Sequence, residues 1–265
     1  MTAENEILAH EVSHDVTPHV RDIRIEDVME ALSKGVADFK ACPTHIVFLF
    51  VIYPIAMLAI ARAFGGFEFL PLIFPMIAGS TILGPFAALG MYELSRRREQ
   101  GLPVSWLNLF DVLKSPALFS IIALGVVLGV VFLAWLVAAQ ALYWSFIGSE
   151  IPASVFEFLI QSLTSPSSIA LIVVGGIVGA LFATVGLVIG VVSFPMLLDR
   201  NVGISVAVST SVRAVTTNPM TLFAWGIIVA LLLIAGAVPL LLGLAFVMPI
   251  LGHATWHLYR KMIAY

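Results

Sequence analysis

The sequence predicts an all-α polytopic membrane protein: six transmembrane helices in three hairpins, each preceded by an amphipathic cytoplasmic helix. The composition, the length of the apolar segments and the distribution of positive charge carry this prediction. Of the 265 residues, 60% are hydrophobic and only 11% are charged, with a mean hydropathy of +1.06. A soluble domain has about 25% charged residues. Two apolar segments exceed the ~20 residues that cross a hydrocarbon core, so a soluble two-domain enzyme is excluded.

The first elements follow from polarity and periodicity. Residues 1–24 are predicted to be a disordered acidic tail, because large apolar residues are few, and residues 25–265 a single six-span membrane domain. Val28 and Leu32 recur at helical spacing among charged residues in the segment 25–41, which predicts an amphipathic helix on the membrane surface. The predicted spans are residues 45–61, 70–94, 116–147, 169–198, 219–235 and 238–258.

The last apolar segment has two interpretations. Residues 219–265 are too long for one span at 1.5 Å per residue, so they form either one tilted span with an interfacial tail or a tight hairpin near Ala235–Pro239. Six spans leave only Arg62 on the outer side, and the positive-inside rule therefore favours six spans with cytoplasmic termini. The remaining Lys and Arg residues share the inner side: Arg21, Arg24, Lys34, Lys40, Arg96, Arg97, Arg98, Lys114, Arg200, Arg213, Arg260 and Lys261.

A threefold pattern accompanies these hairpins. Each amphipathic segment ends in a proline that opens a hairpin, at Pro43, Pro116 and Pro219. Proline is well tolerated in the first turn of a helix, where its missing N–H costs nothing. The pattern indicates a pseudo-threefold repeat, and the alternative is that membrane entry sites favour such prolines without duplication.

The spans carry no mid-span carboxylate, lysine or arginine, which disfavours proton- or sodium-coupled carriers. Small residues at a spacing of four predict close helix packing on the third and fourth spans. These residues are Gly125, Gly129, Gly175, Gly179, Gly186 and Gly190. The sequence predicts no enzyme and no catalytic residue.

The histidines give the best candidate for a metal site. His253 and His257 lie on one face of the last helix, and Cys42 and His45 begin the first span on the same side. Four such ligands at one level suit copper, zinc or haem, although no cofactor is required. The alternative is an interfacial belt beside Trp256. The predicted interface anchors are Arg96, Arg97, Arg98, Arg200, Trp256 and Tyr259, with Glu93 paired to Arg97 or Arg98.

Several short blocks of the sequence resemble a known family, namely residues 31–39, 84–85, 90–99, 193–200, 211–215, 218–219 and 253–260. The chain is similar, over these blocks, to a group of bacterial integral membrane proteins of unknown function, some of which are loosely labelled as cytochrome c oxidase subunits. The resemblance implies a polytopic membrane protein and little about function. The oxidase label lacks support, because all six histidines lie in the tail or at span ends.

Three functions remain open. The first is a non-catalytic accessory or assembly subunit of a larger respiratory or photosynthetic complex, whose partners are the lipid bilayer and other membrane proteins rather than nucleic acid. The second is a channel or carrier for a small neutral or hydrophobic solute, suggested by the proline- and glycine-broken second span. The third is metal or haem handling. The expected location is the bacterial inner membrane.

Overall fold

A computed structural model of the protein describes residues 18–44, 70–148, 154–238 and 242–265. These residues are mainly helical, as predicted. The helices are α1 (Ile25–Ala41), α2 (Leu70–Gly79), α3 (Gly84–Ala87), α4 (Leu89–Glu99), α5 (Leu118–Phe146), α6 (Val155–Thr164), α7 (Pro166–Gly190), α8 (Ser193–Asp199), α9 (Ile204–Thr217), α10 (Pro219–Ala237) and α11 (Leu244–Met262). Two 3₁₀ helices, Ser80–Leu83 and Trp106–Lys114, and two short strands, β1 (His19–Val20) and β2 (Ile263–Ala264), complete the described elements.

Four segments of the described chain are long and apolar enough to cross a membrane. They are Pro71–Glu99, Leu118–Phe146, Pro166–Asp199 and Pro219–Ala237. The predicted first span, 45–61, lies outside the described residues, and the predicted sixth span, 238–258, is not among the four. A membrane protein with several apolar helices is therefore confirmed, whereas the six-span arrangement stays a prediction.

The predicted second span is irregular. Pro75 lies inside α2, and the 3₁₀ helix Ser80–Leu83 separates α2 from α3, where Pro85 follows. The indole Nε1 of Trp135 on α5 donates a 2.8 Å hydrogen bond to the Pro75 carbonyl. A neighbouring helix thus contributes a polar partner to this interrupted segment, as membrane helices that contain proline require.

Both ends of the described chain meet at one end of the molecule. Strands β1 and β2 pair antiparallel, with His19 opposite Ala264 and Val20 opposite Ile263. The Arg21 N–H donates to the Met262 carbonyl at 2.8 Å. This part of the predicted disordered tail is therefore held against the C-terminal segment.

The apolar face of helix α1 packs against the protein interior and not against a membrane surface, contrary to the sequence prediction. Val28 and Ala31 on this face are fully buried. A Cβ on Gly35 would lie 2.7 Å from the Ala254 nitrogen and 2.8 Å from the Ile250 carbonyl oxygen of α11. The absent side chain lets α1 and α11 approach closely, so α11 covers the face that was expected to meet lipid.

The last apolar segment folds back on itself. Helix α10 ends at Ala237 and α11 begins at Leu244, and a Cβ on Gly243 would lie 2.7 Å from the Gly236 Cα. The end of α10 therefore packs closely against the start of α11, whereas a hairpin of two spans stays a prediction, because α11 is not among the four candidate segments. Its C-terminal half is instead buried among α1, α4 and α8.

Candidate functional site

The described side chains include one buried polar cluster that joins three helices. Asp38 comes from α1, Ser95 and Arg98 come from α4, and His253 and His257 come from α11. We call these five residues the polar cluster. Ser95 and His253 are fully buried, and only 7% of Asp38 is exposed. A carboxylate at this depth requires partners, because an unpaired buried charge is very costly.

Asp38 is the acceptor at the centre of the cluster. Its Oδ2 accepts hydrogen bonds from Ser95 Oγ at 2.6 Å and from His257 Nε2 at 2.7 Å. Its Oδ1 accepts from Arg98 at 2.6 Å. Burial alone would raise the pKa of Asp38, but the hydrogen bonds from His257 and Ser95 and the attraction of the His257 imidazolium hold the pKa below its ordinary value. Asp38 is therefore ionised at neutral pH.

The ionised state of Asp38 fixes the direction of the other hydrogen bonds. The single hydroxyl proton of Ser95 is donated to Asp38, so Ser95 Oγ accepts from His253 Nδ1 at 2.8 Å. This assignment leaves Nε2 as the acceptor nitrogen of a neutral His253 ring. The Met91 backbone lies beside the ring, but Nε2 has no hydrogen-bond partner of good geometry within the described chain.

The cluster holds the residue types of a serine hydrolase triad without its connectivity. In a triad the histidine accepts the serine proton and the aspartate orients the histidine. Here Ser95 lies between the other two and gives its proton to Asp38, while His253 Nδ1 is 4.0 Å from Asp38. Ser95 is also fully buried. This arrangement fixes three helices to one another and does not activate a nucleophile.

A ring of ion pairs surrounds the polar cluster. Arg260 bridges Glu99 at 3.0 Å and Asp199 at 3.3 Å, and so ties α11 to α4 and α8. Lys261 binds Asp27 at 2.9 Å and Glu30 at 2.7 Å on α1. The pKa of Asp27 lies below its ordinary value because of the Arg24 N–H and the bond from Lys261.

Two predicted interface anchors lie in the interior. Trp256 is 1% exposed and donates from Nε1 to Glu99 at 3.1 Å, and Tyr259 is fully buried and donates to Asp199 at 2.8 Å. Polar partners on α4 and α8 draw these rings inward instead of to a lipid headgroup layer.

The predicted arginine anchors also find protein partners. Arg96 pairs with Glu93 at 2.8 Å, Arg97 with Asp111 at 3.4 Å, and Arg98 with Asp38. The expected pairing of Glu93 with Arg97 or Arg98 is therefore wrong, since Arg96 takes the carboxylate three residues before it. Arg200 is half exposed and lies 4.5 Å from the ring centre of Tyr265.

The four predicted metal ligands are not brought together among the described residues. His253 and His257 converge on Asp38, Cys42 is a free thiol at the end of α1, and His45 lies outside the described residues. The described part of the chain holds no group of three His, Cys, Asp or Glu residues that could bind a metal ion.

The six glycines that were predicted to pack closely against neighbouring helices divide into two groups. A Cβ would lie 2.7 Å from Phe86 at Gly125, 3.1 Å from Trp135 at Gly179, 3.2 Å from Ile82 at Gly186, and 2.7 Å from Pro85 at Gly190. At Gly129 and Gly175, by contrast, no described atom lies within 4 Å of such a Cβ. In the first group, Gly125, Gly186 and Gly190 pack α5 and α7 against the second predicted span, and Gly179 packs α7 against α5. The second group faces open space.

A further small-residue face was not predicted. Gly176, Ala180 and Thr184 recur every fourth residue on the exposed side of α7. No described atom lies within 4 Å of a Cβ at Gly176. We call these three residues the outer α7 face. The sequence carried the signal, a small residue at every fourth position, but the parallel Gly175/Gly179 pattern obscured it.

Asp38 and Ser95 were also missed as site residues. Asp38 continues the apolar face of α1 at the spacing Val28, Ala31, Gly35 and Asp38, all of which are buried. A carboxylate on the buried face of a helix indicates a buried ion pair, and this signal was present in the sequence. No local pattern identifies the partner of Asp38, because His257 is 219 residues away.

The comparisons with known proteins agree with the membrane assignment. Residues 73–199 match a family model described as "Predicted integral membrane protein (DUF2189)". No curated protein and no solved structure matches the chain. The matched segment contains Ser95 and Arg98 of the polar cluster and the whole outer α7 face.

Proposed function

We propose that this chain, whose residues 73–199 match the model of a family of integral membrane proteins of unknown function, is a non-catalytic accessory or assembly subunit of a larger membrane complex. The complex is respiratory or photosynthetic and lies in the bacterial inner membrane. The partners are other membrane proteins, which contact this chain through its spans.

The outer α7 face is the observation that carries this proposal. Only 6% of the most apolar 18-residue stretch of Pro166–Asp199 is buried within the chain, whereas 22% of the corresponding stretch of Leu118–Phe146 is buried. Lipid alone would cover such a helix, but lipid gains little from a row of small residues. Small residues at a spacing of four let a second helix approach closely, and they are enriched at helix–helix interfaces in membranes.

The polar cluster supports a structural role for the rest of the molecule. Its carboxylate on α1 accepts hydrogen bonds from the hydroxyl and guanidinium groups on α4 and from the His257 imidazole on α11. Groups that are committed to holding helices together are not available to bind or transform a substrate. This arrangement supports a rigid scaffold.

The paired strands support an even number of crossings. Residues 19–20 and 263–264 lie side by side, so the chain enters and leaves the membrane domain at the same end. Arg96, Arg97, Arg98, Arg260 and Lys261 engage partners at that end. By the positive-inside rule it faces the cytoplasm.

The test is purification of the tagged chain from its own host in a gentle detergent, followed by mass spectrometry. We expect stoichiometric recovery with one membrane complex. Ala180→Leu, which fills the outer α7 face, should abolish this recovery. Ala134→Leu makes the same change at an exposed position of α5 and should leave the recovery intact.

Each failure has a distinct meaning. Recovery of the chain alone, with both variants folded, contradicts a subunit role. Recovery of a complex that survives Ala180→Leu retains the subunit role and rejects the outer α7 face as the contact.

A second candidate function, metal or haem handling, rests on one atom. His253 Nε2 is fully buried and has no hydrogen-bond partner in the described part of the chain. An unprotonated imidazole nitrogen is a common metal ligand. Metal analysis and optical spectra of the purified chain test this function. A metal or haem that is bound in stoichiometric amount and lost in His253→Gln would support it, and a colourless, metal-free protein would reject it.

A further inference from the structure

The 3₁₀ helix Trp106–Lys114 has one apolar face that no described part of the protein covers. Leu107 is 57% exposed, Phe110 54% and Leu113 64%. On the other side, Val112 is buried and Asp111 binds Arg97. The side that faces the protein thus carries both polar and apolar groups, whereas the side that faces away carries three large apolar side chains, unlike a helix on a water-exposed surface.

Helix α6 has a similar face. Phe156 is 73% exposed, Ile160 47% and Leu163 74%, and their spacing of four and three places them on one side of the helix. Ser154 caps the helix by accepting a hydrogen bond from the Glu157 N–H at 3.1 Å. This helix lies between the predicted spans 116–147 and 169–198, and thus on the predicted outer side.

The two helices lie at opposite ends of α5. The 3₁₀ helix ends at Lys114, just before α5 begins at Leu118, and α6 follows the other end of α5 and leads directly into α7. Helix α5 has 29 residues, so it is about 43 Å long at 1.5 Å per residue. A bilayer with both headgroup layers measures about 40–45 Å, whereas its hydrocarbon core measures about 30 Å.

We infer that the 3₁₀ helix Trp106–Lys114 and α6 lie in the headgroup layers of opposite leaflets, with their exposed apolar faces against lipid. The length of α5 matches the distance between these layers. Both apolar faces are continuous along the chain with a span, because only Ser115–Ala117 separate the first helix from α5 and only Ser165 separates α6 from α7.

Charge distinguishes the two ends. Lys114 lies at the end of the first helix, where it pairs with Asp111 at 2.7 Å and still leaves 82% of its side chain exposed to lipid phosphates. Helix α6 carries Glu157 and no positive charge. The first helix therefore suits the leaflet with the greater density of anionic headgroups, which in this orientation is the cytoplasmic one.

Among the described amphipathic helices, these two differ from α1. The apolar face of α1 is occupied by α11, so α1 cannot use it to bind lipid. The headgroup contacts are made instead by the 3₁₀ helix before the third predicted span and by α6, which lies between the third and fourth predicted spans.

Depth-dependent fluorescence quenching tests this placement. Single cysteines in a Cys42→Ser background carry an environment-sensitive fluorophore at Leu113 or Phe156, with Leu107 and Leu163 as second positions in each helix. Val130, near the middle of α5 and 61% exposed, is the mid-membrane control, and Lys34 on α1 is the aqueous control. The labelled full chain is reconstituted into vesicles of phosphatidylethanolamine and phosphatidylglycerol, with nitroxide lipids that quench near the headgroup or near the chain end.

We expect labels on both helices to be quenched more strongly by the headgroup nitroxide, and the Val130 label more strongly by the chain-end nitroxide. Labels at Leu113 and Leu107, or at Phe156 and Leu163, that resist both quenchers as Lys34 does would overturn the inference for that helix. Quenching like that of Val130 would overturn it too. This readout uses the chain alone and is independent of any protein partner.

Discussion

Asp38 decides how the polar cluster is held together. It accepts hydrogen bonds from Ser95, Arg98 and His257, and through Ser95 it also orients His253. Removing its charge leaves the Arg98 guanidinium and the His257 imidazole without a charged acceptor. The cost of such a change comes mainly from the groups left behind, and not from the bond that is lost.

We therefore expect Asp38→Asn to lower the free energy of unfolding by about 2–3 kcal/mol at neutral pH, because hydrogen bonds to a charged group contribute about 1.5–3 kcal/mol. Glu26→Gln makes the same carboxylate-to-amide change at an exposed position of α1 and should cost less than about 1 kcal/mol. Denaturation of both purified variants in detergent, followed by circular dichroism, measures the difference. Equal stability of the two variants would contradict the central role of Asp38.

The same carboxylate predicts a dependence on pH. The folded protein holds the pKa of Asp38 below its ordinary value of 3.8, so its contribution is fully present above that pH and is lost as the pH falls through the lower, folded-state value. The difference in unfolding free energy between the wild type and Asp38→Asn should therefore be constant near neutrality and shrink below pH 3.8. A difference that stays constant down to the acid limit would show that Asp38 is not ionised in the folded state.

Trp256 tests whether an aromatic residue near a helix end is an anchor or part of the interior. Its ring is buried and its Nε1 donates to Glu99, whereas Trp144 on α5 is 58% exposed. Trp256→Phe should cost about 1.5–3 kcal/mol because a hydrogen bond to a carboxylate is lost, and Trp144→Phe should cost much less. Thermal denaturation compares them, and an equal or greater cost for Trp144→Phe would indicate the reverse assignment.

At the scale of the elements, close contact between α1 and α11 sets the shape of the polar end. Gly35 makes this contact possible, because no side chain separates it from the α11 backbone. Gly236 and Gly243 do the same for α10 and α11. Helix α11 therefore depends on glycines in its neighbours for its position.

Alanine substitution should have opposite signs at two glycines. In a helix, Gly→Ala stabilises by about 0.8–1.0 kcal/mol when space is free, as at Gly129, where no described atom lies within 4 Å of the added Cβ. At Gly35 the new Cβ would meet the backbone of α11 at 2.7 Å, and overpacking of this kind costs about 1–3 kcal/mol. Chemical denaturation of both variants provides the comparison. Stabilisation by Gly35→Ala would show that the two helices are further apart.

At the scale of the whole molecule, the polar residues and the lipid-facing residues are segregated. The ion pairs of Arg97, Arg98, Arg260 and Lys261 gather at one end, together with β1 and β2. The four apolar segments extend from this end. In each of them, no more than 22% of the most apolar 18-residue stretch is buried inside the protein. Such a molecule has a rigid polar end and a large apolar surface for lipid or for other membrane helices.

Reporter fusions test the orientation. A green fluorescent protein after Tyr265 should fluoresce in a bacterial host, because that protein folds in the cytoplasm, and an alkaline phosphatase fused after Gly148 should be active, because it requires the oxidising outer side. Inactive phosphatase at Gly148 together with a dark fusion at Tyr265 would place the polar end outside, against the positive-inside rule.

The sequence by itself determined the membrane class and the approximate positions of the described spans. These properties follow from local composition and periodicity, which every segment carries within itself. The resemblance to the matched family came from the same source, through blocks such as residues 90–99.

Only the tertiary structure decided which side chains meet. His253 and His257 were recognised as a pair, but Asp38 and Ser95 replaced Cys42 and His45 as their described partners, because α1 packs on α11 through Gly35. Trp256 and Tyr259 likewise lie in the interior, although the sequence predicted them at the membrane interface. Contacts between residues more than 150 positions apart depend on how whole helices pack, and no local pattern in the chain encodes that packing.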